Sequence, residues 1–376
     1  MRIFVRLLNL LAIVFFFSAC GGGNTVSLSQ ADDSVTFRHA KLIHVYNHEN
    51  YRIATISNPW KAEQILHTYI LIPKKDTLPD NIPEGTVLRT PLNKTILFSA
   101  VHCGLLYSLN KIDAIAGVCD LTYIQQQQVR EEFLKGNILN MGNAMSPNVE
   151  KILTIHPDGL LVSPFENSGG YGMLDKTSLP LIECADYMEH SPLGRAEWMR
   201  FYGILYGCEE TADSLFNIVE KRYSKLAKLA SGTKERPSVF CDLKEGATWY
   251  IPGAKSVIGQ LYNDAGAKYL FSDYKQNGSV SLSFETVYQR AHDADIWFVK
   301  YGQSKDITYQ QMRQDYEPYT GFKAWKERRI YGCNTFHVPF YEEEPFRPDY
   351  FLEDLVKICH PELLPSHSLR YYTPMQ

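Results

Sequence analysis

The chain has 376 residues, room for about two domains, and a 45% hydrophobic, 21% charged composition typical of a globular protein. Its formal net charge of −4 gives no electrostatic case for nucleic acid. Aromatics reach 13%, with 24 tyrosines, an excess that suits a wide, semi-polar binding surface as well as a core.

Arg2 and Arg6 precede an apolar run at 7–17, short for a bilayer span and suited to the core of a signal peptide. It ends in Phe17-Ser18-Ala19-Cys20, where small residues before a cysteine resemble the bacterial lipobox. That resemblance implies cleavage before Cys20 and lipid on its thiol; the alternative is an ordinary signal peptide with a chance cysteine. Residues 1–19 are read as a lipoprotein signal peptide and 20–35, glycine-rich and then polar, as a flexible tether. No other stretch is apolar enough to cross a membrane. The expected protein is therefore extracytoplasmic, on the periplasmic side, with a body held to a membrane by lipid. Seven cysteines remain besides Cys20, an odd number without a CxxC pair, so neither a structural zinc site nor a disulfide is assigned.

Residues 36–93 read as a small antiparallel β preface packed on the first lobe, with strands near 41–46, 51–56 and 66–72 and a loop marked by Pro79, Pro83 and Gly85. A first α/β lobe spans 94–190. Its strands are expected at 94–99, 112–118, 159–163 and 179–184, with helices at 100–109 and 125–135. A connector follows at 191–231, mostly helix, with Pro192 in the first turn and Gly207 as an interruption. The second lobe, 232–376, repeats the scheme: a strand at 238–241, a loop at 246–253, a helix at 256–265 and a closing helix at 351–359. The fold class is α/β: two Rossmann-like lobes with central sheets, a long helical connector and the preface.

One cassette occurs in both lobes. Residues 146–158 and 281–293 each begin with a serine (Ser146, Ser281) expected to cap a short helix. Each helix carries a glutamate in its first turn, Glu150 and Glu285, and each runs through a polar break into an apolar strand. A first-turn glutamate ordinarily does no more than favour the helix dipole. Its duplication at one place in each lobe also fits two carboxylates docking on two basic pockets of a symmetric partner.

Two lobes imply a cleft, and loops after the strands should line it. His102 reads as a ligand contact or as a hydrogen-bonded histidine at a helix start. Trp249 and Tyr250, between glycines and a proline, read as pocket-lining, with a core role as the alternative. Tyr123, Phe165 and Tyr171 occupy comparable loops of the first lobe. Arg195 opens the connector helix, where a hinge salt bridge competes with ligand contact. There is no GxSxG, P-loop or HExxH, and the glycines at 169–172 lack dinucleotide-fingerprint spacing. No catalytic residue and no metal ligand set is assigned, the 11 histidines being scattered. Glu166 with His102 is the only acid–base pair an enzyme reading could use.

Residues 94–360 resemble the ABC-transporter substrate-binding proteins for iron-siderophore, haem and cobalamin, the periplasmic binding proteins of class III with a helical backbone. The match is strongest at 148–158 and at Ser283-Phe284-Glu285-Thr286-Val287, with 95–99 and 251–257 in support. The resemblance implies a monomer that carries a metal chelate as cargo, iron-siderophore or haem before cobalamin, with no resident cofactor. It implies partners in a permease dimer and its cytoplasmic ATPase subunits, with Glu150 and Glu285 meeting permease arginines. Family ligand loops fall on Ser99 to His102, the Tyr123 region, Glu166 to Tyr171, and Trp249 with Tyr250. An extracytoplasmic cleft enzyme and a ligand sensor on the same fold are the competing readings.

Overall fold

β-branched and aromatic residues recur through 43–73, and they build the centre of an N-terminal sheet. The computed structural model describes residues 33–79, 81–167 and 169–376. In it β1 (Asp33–Val35), β2 (Ile43–Asn47), β3 (Arg52–Ser57) and β4 (Ile65–Pro73) pair antiparallel in chain order. A fifth strand, β5 (Thr86–Thr90), joins β4 in parallel. The preface is therefore not wholly antiparallel, and the loop expected through this region ends in a strand. Only Val87 and Leu88 carry apolar signal there, too short a run to announce itself. The signal peptide, Cys20 and all but the last residues of the tether lie outside the described residues.

Two buried carboxylates hold the preface to the rest of the chain. Glu197 accepts the backbone N–H groups of Arg38, His39 and Ala40 at 2.9, 2.7 and 2.8 Å. Glu189 accepts those of Lys41 and Leu42, and the indole N–H of Trp198 at 2.9 Å. A carboxylate taken out of water needs such donors, and here neighbouring backbone groups that belong to no ladder supply them.

The first lobe contains β6 (Thr95–Leu97), α1 (Ala100–Ser108), β7 (Ile115–Val118), α2 (Gln127–Leu134), β8 (Leu139–Asn140), β9 (Gly142–Asn143), β10 (Ser146–Pro147), α3 (Val149–Ile155), β11 (Gly159–Val162) and β12 (Leu181–Glu183). Its sheet has the order β12-β11-β6-β7-β8, all parallel. Every residue of β11 is buried, as a parallel strand covered on both faces requires. The connector consists of α4 (Pro192–Glu197), capped by Ser191, then α5 (Met199–Tyr206) and the 23-residue α6 (Glu209–Ser231). Gly207 ends α5 at φ 62°, a left-handed conformation that glycine adopts without a Cβ clash. All but one residue of α5 is buried, so it is an interior helix rather than an exposed strut.

The second lobe contains β13 (Ser238–Cys241), β14 (Lys244–Glu245), β15 (Thr248–Pro252), α7 (Val257–Asp264), β16 (Lys268–Tyr269), β17 (Ser279–Leu282), α8 (Phe284–Ala291), β18 (Ile296–Tyr301), α9 (Tyr309–Asp315), α10 (Lys323–Lys326), β19 (Ile330–Asn334), α11 (Phe340–Glu343), α12 (Pro348–Cys359) and β20 (Thr373–Pro374). Its main sheet, β16-β13-β18-β19-β20, is parallel except for β20. A second sheet, β14-β15-β17, is antiparallel. The expected loop at 246–253 is thus largely strand β15. Phe240, Trp249, Trp297 and Phe322 pack between the two sheets, with ring centroids 4.8 to 6.2 Å apart.

Both cassette helices form, but their caps sit two residues later than expected. Asn148 accepts from the backbone of Lys151, and Ser283 from that of Thr286. Ser146 and Ser281 lie instead in β10 and β17, where pairing uses their backbone. Cap and glutamate keep the same two-residue spacing in both copies, and Glu150 and Glu285 are both exposed. The cysteines at 103, 119, 184, 208, 241, 333 and 359 are free. Among the described residues no helix is long and apolar enough to cross a membrane, and no group of three or more His, Cys, Asp or Glu could hold a metal ion.

Candidate ligand-binding cleft

Parallel strands deliver their following residues to one edge of a sheet, and in this chain the segment after β12 of the first lobe and those after β13 and β18 of the second border one cavity of about 800 Å³, walled mostly by the second lobe. Tyr187, after β12, and Arg195, in α4, line it from the first lobe and connector. Asp242, directly after β13, Lys300 and Tyr301, at the end of β18, Tyr250, from β15, and Tyr341, from α11, line it from the second lobe.

Arg195 sits between buried carboxylates of both lobes. Its Nε is 3.5 Å from Asp186 Oδ2 and its Nη1 is 3.6 Å from Glu344 Oε2. Behind it, Tyr202 Oη donates to Asp186 Oδ1 at 3.1 Å, and His102 Nε2 lies 3.1 Å from the same hydroxyl. Burial opposes a charge on His102, but the neighbouring Cys184 and Asp186 outweigh it and push its pKa up to about 10. Burial likewise works against Asp186, yet His102, Arg195 and the Tyr202 hydroxyl hold its carboxyl below the usual range. On the far side, Asp242 holds φ 64° at the cleft edge, a left-handed conformation uncommon outside glycine and often found at functional sites. Burial pushes its carboxyl up. Burial also opposes the charge on Lys300, but Asp242, Tyr341 and Glu344 favour it and the net shift is upward.

The lobes are tied on both sides of the cavity. Glu342 in α11 accepts the backbone N–H groups of Gln125 and Gln126 at 3.0 and 3.1 Å. On this seam a Cβ on Gly104 of α1 would collide with the Glu342 carbonyl, so only glycine permits the contact. On the other side Asn277 meets His190 Nδ1 at 2.8 Å, and the Gln260 amide donates to the His190 carbonyl.

Of the residues singled out from sequence, Arg195 and Tyr250 stand at the cavity wall. Tyr123 and Phe165 lie after β7 and β11, 62% and 46% exposed, and Glu166 is exposed without a hydrogen bond or ion pair to the described residues; none of the three lines the cavity. Ser99 is half-buried and caps α1, accepting from Val101 N at 3.3 Å. Tyr171 gives its hydroxyl to Glu183 at 3.0 Å and packs on the core of the first lobe. His102 follows the second of its two readings, a buried, hydrogen-bonded histidine in the first turn of α1, and it is not paired with Glu166. Trp249 is fully buried, its indole N–H bonded to the Cys241 carbonyl at 3.0 Å, and it belongs to the core, not the cleft. The reason is strand geometry: neighbours in β15 face opposite ways, so Trp249 and Tyr250 cannot both reach the cavity.

Sequence reading missed Tyr187, Asp242, Lys300 and Tyr341. A signal existed for two of them. Asp242 and Lys300 are the first polar residues after the buried runs 239–241 and 296–299, and such positions emerge at the ligand-binding edge.

A family model described as periplasmic binding protein matches residues 99–335, which take in the connector and every strand of the two main sheets except β6 and β20. The chain belongs to the periplasmic binding protein family. Its relatives include two uncharacterized lipoproteins of Methanocaldococcus jannaschii. One is 24% identical over 93% of this chain and 88% of its own length, the other 25% identical over 89% and 85%. Three solved structures share the fold of this periplasmic binding protein. The molybdate periplasmic binding protein of a Haemophilus influenzae ABC transporter has a TM-score of 0.59 at 14% identity, covering 75% of this chain and 90% of its own. A periplasmic haem-binding protein from Pseudomonas aeruginosa gives 0.57 at 13% identity, covering 72% and 94%. An Fe3+-hydroxamate transport-system protein from Saccharomonospora viridis gives 0.55 at 14%, covering 71% and 93%.

Proposed function

We propose that this periplasmic binding protein is the lipid-anchored, extracytoplasmic receptor of an ABC importer, and that it captures a metal chelate, an iron-siderophore or haem before cobalamin, in the cleft between its lobes. The observation that carries the reading is the cavity of about 800 Å³ between the segment after β12 of the first lobe and the ends of β13 and β18 of the second. That volume suits a ligand of several hundred daltons, and four tyrosines with a few charged groups supply apolar faces and orientation. The cargoes named for its structural relatives, haem, molybdate and ferric hydroxamate, support a metal-containing ligand. Cys20 carries the lipid in this reading.

Delivery to the permease runs through Glu150 and Glu285. Both are exposed, both follow their helix cap by two residues, and neither has an ion-pair partner among the described residues. The test is charge reversal of both together. Uptake of the cognate chelate by whole cells should fall to background while the purified variant binds as wild type does. Undiminished uptake would remove the docking role and favour a sensor without a permease.

A further inference from the structure

Two cations line the cleft, Arg195 from the connector and Lys300 from the second lobe, and among the described residues neither side chain makes a hydrogen bond. Arg195 is paired with Asp186 and Glu344 only at 3.5 and 3.6 Å, and its buried Nε has no acceptor. Lys300 makes no hydrogen bond and has no carboxylate within 4.0 Å among the described residues; its ammonium stands 5.4 and 5.6 Å from the ring centroids of Phe340 and Tyr341. A guanidinium and an ammonium together offer eight N–H groups, and donors withdrawn from water without acceptors are costly. The third cation at the cleft, Lys244, is already used: its Nζ donates to the Gly246 carbonyl and lies over the Tyr316 ring.

The acids nearby, Glu245 on the exposed rim among them, accept a hydrogen bond from neither cation, although Asp186, held charged beside Arg195, offsets part of that charge. Glu189 is occupied by two backbone N–H groups and the Trp198 indole. Asp186 and Glu344 lie behind Arg195 and do not line the cavity, and burial pushes Glu344 and Asp242 toward their neutral forms.

We infer that the cargo is an anion, whose charged oxygens are received jointly by Arg195 of the connector and Lys300 of the second lobe. The inference rests on the chelate-receptor reading and narrows it to complexes carrying net negative charge or carboxylate arms. Because the two cations come from different parts of the fold, the same contact makes the bound anion a bridge between them.

Two ferric complexes of similar size but different charge test this: a trianionic tris-catecholate and a neutral trihydroxamate, titrated into the full-length chain by tryptophan fluorescence, with molybdate as a bare oxyanion. The trianion should bind more tightly, and its affinity should fall with added salt while that of the neutral complex does not. Lys300→Met should weaken the trianion about tenfold or more and leave the neutral complex unaffected, and Lys300→Arg should restore most of the loss. The salt comparison on the wild type holds even if a variant folds poorly. Equal binding of both complexes, indifferent to Lys300→Met and to salt, would overturn the anion inference and leave the chelate reading standing. Binding of molybdate alone, dependent on Lys300, would support the anion site and overturn the chelate reading. Failure of all three probes to bind would overturn both.

Discussion

Glu342 links the lobes, and its titration gives the account a sharp test. The carboxylate accepts two backbone N–H groups from the first lobe, which favour its charge. Burial outweighs them and pushes the pKa from the ordinary 4.5 up to about 7. Between these values the folded protein holds a proton that the unfolded chain has released. The stabilisation is therefore fully present below the unfolded value and is lost as pH rises through about 7. The gap corresponds to about 3 kcal/mol in all, of which roughly 2–3 kcal/mol disappears between pH 5 and pH 8. Glu342→Gln keeps the shape and removes the titration. Urea unfolding at both pH values should show wild type losing roughly 2–3 kcal/mol more than the variant on going to pH 8. Parallel profiles for the two proteins would refute the reasoning, because the seam would then not bury an ionisable clamp.

Other consequences follow from particular contacts. Trp249→Ala should destabilise by about 3–5 kcal/mol, since it empties a packed aromatic core, and urea midpoints equal to wild type would contradict that placement. Tyr250→Ala, one residue on, removes a 45% exposed ring at the cleft wall, so it should weaken ligand binding in titration while leaving the melting temperature in place. Glu197→Gln replaces one of two acceptor oxygens that hold three backbone N–H groups. It should cost about 2 kcal/mol or more and speed amide exchange at residues 38–40, and unchanged exchange there would contradict the anchoring role.

Features that depend on local pattern were legible in the amino-acid order. The wholly buried run in β11 and its counterpart in β18 announced parallel strands, and the polar starts with Glu150 and Glu285 announced the helices before them, though the caps proved to be Asn148 and Ser283. Features that depend on distant partners were not. Strand β15 was hidden because Gly246 and Gly253 at its ends read as loop, and this misplaced Trp249. The roles of Glu189 and Glu197 exist only because residues 38–42 fold back onto them from about 150 positions away in the chain. The two readings of His102 could not be separated, because nothing near it in sequence reveals Tyr202 and Asp186. Lys300 and Asp242 could have been found by asking which residue follows each buried strand.

The cleft is proposed to bind a metal chelate. Titrating the protein with ferric siderophores, haem and cobalamin, in parallel with its Tyr250→Ala variant, tests that most directly. One class should quench tryptophan fluorescence saturably, at a Kd below about 10 μM, with a clear loss of affinity in the variant while its fold stays intact. No saturable binding by any of the three classes would contradict it.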